Sequence, residues 1–209
     1  MAVHIRDDSD GALKGLRVVD MTRVLAGPFC SMLLADMGAE VIKVEEPDKG
    51  DDARGYPPFL RGASAYFTNL NRNKRSIVLN LKREEAKEIL LNLLKKSDVL
   101  LENFKPGTMD KLGFSYDRVR DVNPGIIYAS ISGFGQYGPY KDRPGYDIIG
   151  QAIGGLMSVS GWPDSPPTRT GTAMADIVAG LGAFAGNEAT TGHGTESLFD
   201  RRWRRNAGL

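Results

Sequence analysis

The chain alternates short apolar runs with amphipathic stretches. Leu16-Arg-Val-Val-Asp-Met21, Ala39-Glu-Val-Ile-Lys-Val44, Ser76-Ile-Val-Leu-Asn-Leu81, Val99-Leu-Leu101 and Ile126-Ile-Tyr-Ala-Ser-Ile131 read as strands. The first two flank a helix from about Pro28 to Met37, with Pro at its start and Gly38 just past its end. Arg83 to Lys96 is an amphipathic helix that puts Ala86, Ile89, Leu90, Leu93 and Leu94 on one face. A helical turn and a helix near Tyr116 to Asp121 separate the last two strands, and Asp48 to Gly62, rich in Gly, Pro and charge, reads as a loop. Gly145 to Gly186 reads as helices rich in Gly and Ala, residues that let backbones approach closely. Strand–helix alternation with short joints predicts an α/β fold, a parallel Rossmann-like sheet flanked by helices.

The two ends break the pattern. Residues 1–13 form a polar lead-in expected to be disordered, and residues 14–186 carry the Rossmann-like domain. From Asn187 to Leu209 the chain turns polar and then basic, with Arg201-Arg-Trp-Arg-Arg205 lacking apolar periodicity, so a disordered tail is expected. At 209 residues, 41% hydrophobic and 25% charged, the chain has the composition of a soluble globular protein. A net charge of +1 gives no global field for nucleic acid or a membrane surface. No apolar run approaches the ~18 residues of a membrane span, and Met1 to Gly11 lacks a signal-peptide core. The single cysteine, Cys30, excludes an internal disulfide and suits a reducing, cytoplasmic setting as a buried structural thiol.

Candidate chemistry concentrates in Arg143-Pro-Gly-Tyr-Asp147 and Pro166-Pro-Thr-Arg-Thr-Gly-Thr-Ala-Met-Ala-Asp176. Asp176 is the one acid between Gly171 and Ala185, and a lone carboxylate among Ala, Met, Ile and Val is costly to bury. It is therefore the first candidate for catalysis. In a Rossmann-like sheet, ligands lie beyond the carboxyl ends of the strands. There Thr22 to Pro28 opens a helix whose amides can meet an anion, or forms a plain βα turn, and it lacks the dinucleotide fingerprint. Glu45 and Glu46 stand where a ribose-binding acid sits, or are solvated charges. Arg72, Lys74, Arg75 and Lys82 hold phosphates or form a solvated basic loop. Asn103-Phe-Lys-Pro-Gly107 offers an amide, an aromatic face and a cation, a mixture suited to adenine and phosphate. Arg169 meets a substrate carboxylate or faces solvent. His4 and His193 stand alone, so neither a metal site nor a Ser–His–Asp or Cys–His arrangement can be built, and a nucleophile must be a carboxylate.

Taken in order, Arg23-Val-Leu-Ala-Gly-Pro28, Gly38-Ala-Glu-Val-Ile-Lys-Val-Glu45, Asn71-Arg-Asn-Lys-Arg-Ser76, Glu102-Asn-Phe-Lys-Pro-Gly107 and Gly133-Phe-Gly-Gln-Tyr-Gly-Pro139 resemble the class III coenzyme A transferases, the formyl-CoA and carnitine CoA-transferase (CaiB/BaiF) family. The resemblance runs from about Leu13 to Phe184. It implies that Asp176 is a nucleophile attacking an acyl-CoA thioester, with acyl-CoA and a small carboxylic acid as substrates and no permanently bound cofactor. It also implies CoA contacts at Leu25 and Ala26, at Leu79, Asn80, Leu81 and Lys82, and at Asn103, Phe104 and Lys105. Lys111 falls at a position often Arg, and Tyr146 and Asp147 fall beside the reactive end. A family Arg contact falls on Glu46. The family's homodimer is the implied assembly.

Two alternatives accompany this reading. The α-methylacyl-CoA racemases of the same superfamily carry a histidine where this chain has Tyr146, and a phenol of ordinary pKa is a poor base at neutral pH. The other is a non-catalytic CoA-binding fragment. Family members are much longer, and Thr191-Gly-His-Gly194 resembles a later family turn reached early, so a C-terminally truncated member with impaired activity is the expectation.

Overall fold

A computed structural model describes residues 11–191. The chain begins with β1 (Arg17–Asp20), α1 (Ala26–Asp36) and β2 (Glu40–Glu45), then a 3-10 turn (Asp52–Gly55) and a small hairpin of β3 (Phe59–Leu60) and β4 (Ala63–Ser64). α2 (Ala65–Leu70), β5 (Arg75–Val78), α3 (Glu84–Leu94) and β6 (Val99–Glu102) follow. α4 (Thr108–Leu112), α5 (Tyr116–Val122), β7 (Ile127–Ser130), α6 (Asp147–Ile153), a second 3-10 turn (Leu156–Ser158) and α7 (Met174–Thr191) complete it.

The main sheet is parallel, in the order β5-β2-β1-β6-β7. Register places Val18 beside Val41 and Val99, and Val19 beside Ile42 and Leu100. Because successive side chains point to opposite faces, the central strands feed two cores. Val18, Val99 and Leu101 meet Cys30, Leu34 and Ala35 of α1, with Ala183 and Phe184 of α7 behind them. Val19 and Leu100 meet Leu90 and Leu94 of α3, Met109 of α4 and Val119 of α5. Helices on both faces explain why β6 reads as a near-continuous apolar run, buried along its whole length. Each fully buried Leu or Val contributes about 1.5–3 kcal/mol.

Four of the five strands fall within one residue of their expected ends, β5 stops at Val78, three residues short of the expected Leu81, and the parallel sheet flanked by helices is the fold expected. Four details differ. The loop expected at Asp48–Gly62 contains the 3-10 turn and β3, and α2 follows unforeseen; that helix starts where the Ser64 hydroxyl accepts the Phe67 amide, at 3.1 Å. Ile89 is 49% exposed, because α3 turns Ala86, Leu90 and Leu94 inward at four-residue spacing and leaves Ile89 beside that stripe. Asn187-Glu-Ala-Thr, expected to interrupt the last helix, continues it to Thr191; the Asn187 amide is buried and donates to Cys30 Sγ at 3.7 Å. Leu13, assigned to the lead-in, is docked: its amide donates to the Met37 carbonyl at 2.9 Å and its side chain packs on the α1 core. His4, His193 and the basic cluster Arg201–Arg205 lie outside the described residues.

Candidate active site

The strand order reverses direction between β1 and β6, and a cleft of about 1190 Å³ opens there, beyond the carboxyl ends of the strands. Its walls come from the turn after β1 (Arg23 to Ala26), the segment after β6 (Asn103 to Pro106), the segment after β7 (Ile131 to Tyr146), and the first turns of α6 and α7.

A buried ionic network builds the first of these walls. Lys43 and Lys74 are both buried, paired with Asp51 at 2.8 Å and Asp20 at 3.1 Å. Lys43 Nζ also donates to the Thr22 carbonyl at 2.8 Å. Asp51 accepts the amides of Val24 at 3.1 Å and Ala53 at 2.9 Å. Val24 needs that support: its φ of 68° is unfavourable for a β-branched residue. Burial pushes the Asp20 carboxyl up, but Lys74, Lys43 and the Ser31 and Thr22 hydroxyls outweigh it and hold Asp20 well below the usual carboxylate range. Glu45 behaves alike: burial is outweighed by bonds from Arg54, Ser76 and the Asp51 amide, leaving it at about 2. Glu45 is thus taken by Arg54, at 2.7 Å, while Glu46 is exposed.

Asp176, in the first turn of α7, also lines the cleft. Among the described residues no hydrogen bond or ion pair reaches its carboxylate. Burial, aided by the negative charge of Asp147, pushes it up to about 6. Asp147 opens α6, and its Oδ1 accepts the backbone amides of Ala175 at 2.8 Å and Asp176 at 3.4 Å. A half-buried carboxylate without a partner, in an open cleft, is available as a nucleophile or base.

The residues singled out from sequence divide by place. Leu25, Ala26, Asn103, Phe104, Lys105, Tyr146 and Asp147 line the cleft with Asp176. Asn103 spends its amide on the fold: Oδ1 accepts the Arg23 amide and Nδ2 donates to the Arg23 carbonyl, both at 2.8 Å. The Arg23 guanidinium lies 5.1 Å from the centre of the Phe104 ring. Lys105 is exposed and has no ion pair among the described residues. Leu79, Asn80, Leu81 and Lys82 do not line the cleft; they follow the edge strand β5, where Leu79 is buried in the α3 core and Lys82 is exposed. Lys111 is exposed on α4. Arg72 and Arg75 pair with Asp36 and Glu40, and Arg169 is exposed away from the cleft walls. No group of His, Cys, Asp and Glu among the described residues could hold a metal ion. No helix among them is long and apolar enough to cross a membrane.

Nothing in the sequence pattern marks Tyr56 and Tyr66, rings 5.5 Å apart. Tyr56 lines the cleft, and burial together with the charge of Asp176 pushes the Tyr66 phenol up. Nor does that pattern mark Asp51, whose position in a charged loop gave no sign of burial, or Gln151.

Fold and cleft define a Rossmann-type α/β protein whose switch-point cleft holds a carboxylate that has no partner among the described residues. Residues 13–192 match the profile described as CoA-transferase family III. The chain belongs to that family. It is 51% identical over 177 residues to the acetyl-CoA:oxalate CoA-transferase of Acetobacter aceti, covering 84% of this chain and 46% of that protein. It is 48% identical over 178 residues to the succinyl-CoA:glutarate CoA-transferase of Mus musculus, covering 85% and 41%. A CaiB/BaiF family protein from Brucella suis superposes with a TM-score of 0.83 at 44% identity, covering 87% of this chain and 49% of that one. The chain thus spans about half the length of the curated relatives it matches.

Proposed function

We propose that this chain carries the CoA-binding cleft and the nucleophile of a transferase that moves coenzyme A from an acyl-CoA to a free carboxylic acid. The observation that carries the proposal is Asp176 itself: a half-buried carboxylate with no partner among the described residues, facing a cleft larger than the roughly 300–1,000 Å³ typical of small-ligand sites.

An Asp176 oxygen attacks the thioester carbonyl; the C–S bond breaks, the thiolate leaves, and a mixed anhydride forms. The thiolate then attacks the aspartyl carbonyl, giving an aspartyl-CoA thioester and releasing the donor acid. The acceptor carboxylate attacks that thioester to form a second anhydride and free the thiolate. Thiolate attack on the acceptor's carbonyl yields the new acyl-CoA and regenerates Asp176. Anhydride and thioester both stay activated, so no nucleotide is consumed. The apolar flank of α7 limits hydrolysis of these intermediates.

Leu25, Ala26, Asn103, Phe104 and Lys105 hold the CoA body in the cleft, with Leu79 to Lys82 and Lys111 as outlying contacts. Tyr146 and Asp147 border the reacting carbonyl. A cytoplasmic location and a homodimer belong to the same proposal: Cys30 is a buried thiol in no disulfide, and Ile153, Val178 and Leu181 on α6 and α7 are exposed apolar side chains suited to a partner surface.

Incubation with an acyl-CoA and its isotopically labelled free acid tests the reading. Label should enter the acyl-CoA pool with the wild-type chain and not with Asp176→Asn; equal exchange by both would refute it.

A further inference from the structure

Gln151 is 1% exposed and is absent from the cleft walls, yet it is polar and satisfied at both ends of its amide. Nε2 donates to Asp147 Oδ2 at 2.7 Å and to the Thr172 carbonyl at 3.3 Å. Oε1 accepts the Thr170 amide at 2.9 Å and the Thr170 hydroxyl at 3.1 Å. These partners leave the amide one orientation, because a carbonyl and a carboxylate accept only from the NH₂ end. Asp147 precedes Gln151 by one helical turn, so the two side chains share a face of α6. The other oxygen of Asp147 holds the first amides of α7, including that of Asp176.

From this chain of bonds we infer that Gln151 is a positioning residue: through Asp147 and the Thr170–Thr172 strand of backbone, it sets where the Asp176 carboxylate stands at the start of α7. The inference rests on Asp176 being the reacting group. Gln151 never meets substrate. It fixes Asp147, and Asp147 in turn fixes the first turn of α7 while setting a negative charge beside Asp176. The other ionisable group coupled to Asp176 is Tyr66 on α2. Arg23, Asp52, Lys105, Lys141 and Arg143, with the phenols of Tyr56, Tyr137, Tyr140 and Tyr146, line the same cleft but form no ion pair or hydrogen bond with Asp176, and Tyr128 of β7 directs its hydroxyl to the Phe114 carbonyl at 3.1 Å. α1, packed along α7, has Asp36 as its one charged side chain, engaged by Arg72.

Without the Gln151 donor, Asp147 is free to swing off the α7 amides and the segment before Met174 loosens. Asp176 then gains water and loses its charged neighbour, and its carboxyl titrates closer to an ordinary aspartate.

The test is a ¹³C NMR titration of the aspartate carboxyls in the 209-residue chain, with the Asp176 signal assigned by its loss in Asp176→Asn. The wild-type midpoint is expected near 6. Gln151→Ala should lower it by about one pH unit, a tenfold change in acid dissociation constant. Asp147→Asn, which keeps an oxygen for the α7 amides but removes the charge, should lower it as well. An unchanged midpoint in Gln151→Ala overturns the inference; should that variant fail to fold, an unchanged midpoint in Asp147→Asn overturns it instead. Rates of acyl-adduct formation give the second readout. Gln151→Ala should lower the rate at saturating acyl-CoA about tenfold and leave the half-saturating concentration where it was. An equal loss confined to half-saturation would place Gln151 in ligand binding and overturn the inference. A wild-type chain that titrates as described but forms no adduct refutes the nucleophile while leaving the clamp standing.

Discussion

Asp176 sets two opposed pH dependences. As the proposed nucleophile it attacks in its ionised form, so adduct formation should rise with pH through about 6 and level off above it. Folding runs the other way. The folded-state value lies above the ordinary 3.8, so the native state favours the protonated carboxyl, and stability falls as pH climbs from about 4 past about 6. Asp176→Asn should therefore stabilise the chain at pH 8 by about 1 kcal/mol, taking ~1.4 kcal/mol per pKa unit and discounting for solvent at a half-exposed group. That gain should vanish below pH 4, which thermal melts at several pH values will read. Glu45 has the reverse sign. Its carboxyl sits at about 2 in the fold against an ordinary 4.5, so its contribution is present above pH 4.5 and fades as pH falls toward 2. Glu45→Gln should destabilise at neutral pH and approach parity with wild type near pH 2.

The same logic extends to elements, where buried charge and close packing decide geometry. Lys74 is buried against Asp20, so Lys74→Met leaves a carboxylate without its nearest cation; a loss of about 3–5 kcal/mol is expected in denaturant unfolding. α7 rests on the first turn of α1: a Cβ on Gly180 would lie 2.5 Å from the Ala26 carbonyl oxygen. Gly180→Ala should push the two helices apart, cost about 1–3 kcal/mol, and weaken CoA binding by displacing Ala26 at the cleft. A second close approach shapes the segment after β7, where the cleft-lining Gly133 and Gly145 meet backbone to backbone and a Cβ on either would come within 2.2 Å of the other's Cα.

Across the whole molecule, the sheet was legible because short runs rich in Val, Ile and Leu alternate with helical stretches, even though β1 and β2 carry buried charges among them. α2 was not, because Ala65-Tyr-Phe-Thr-Asn-Leu70 has no helical periodicity and owes its start to the Ser64 cap. The helical character of Asn187 to Thr191 was hidden because Asn187 finds its partner, Cys30, in a distant element. Asp176 was legible as a lone acid among apolar residues. Its neighbours were not: Asp147, read as a cleft residue, also holds α7 to α6, and nothing in the spacing of Gln151 marks it as the amide behind that junction. Lys74, read as a phosphate-holding or solvated cation, joins Lys43 and Asp51, which the sequence did not single out, in the network that supports the strained turn at Val24.

Intact-mass spectrometry of the 209-residue chain incubated with acyl-CoA at pH 8, followed by peptide mapping, reaches the central claim most directly. The account predicts a single acyl or CoA adduct on the peptide containing Asp176, lost in Asp176→Asn while CoA binding persists. An adduct on another residue, or one undiminished in Asp176→Asn, would contradict it.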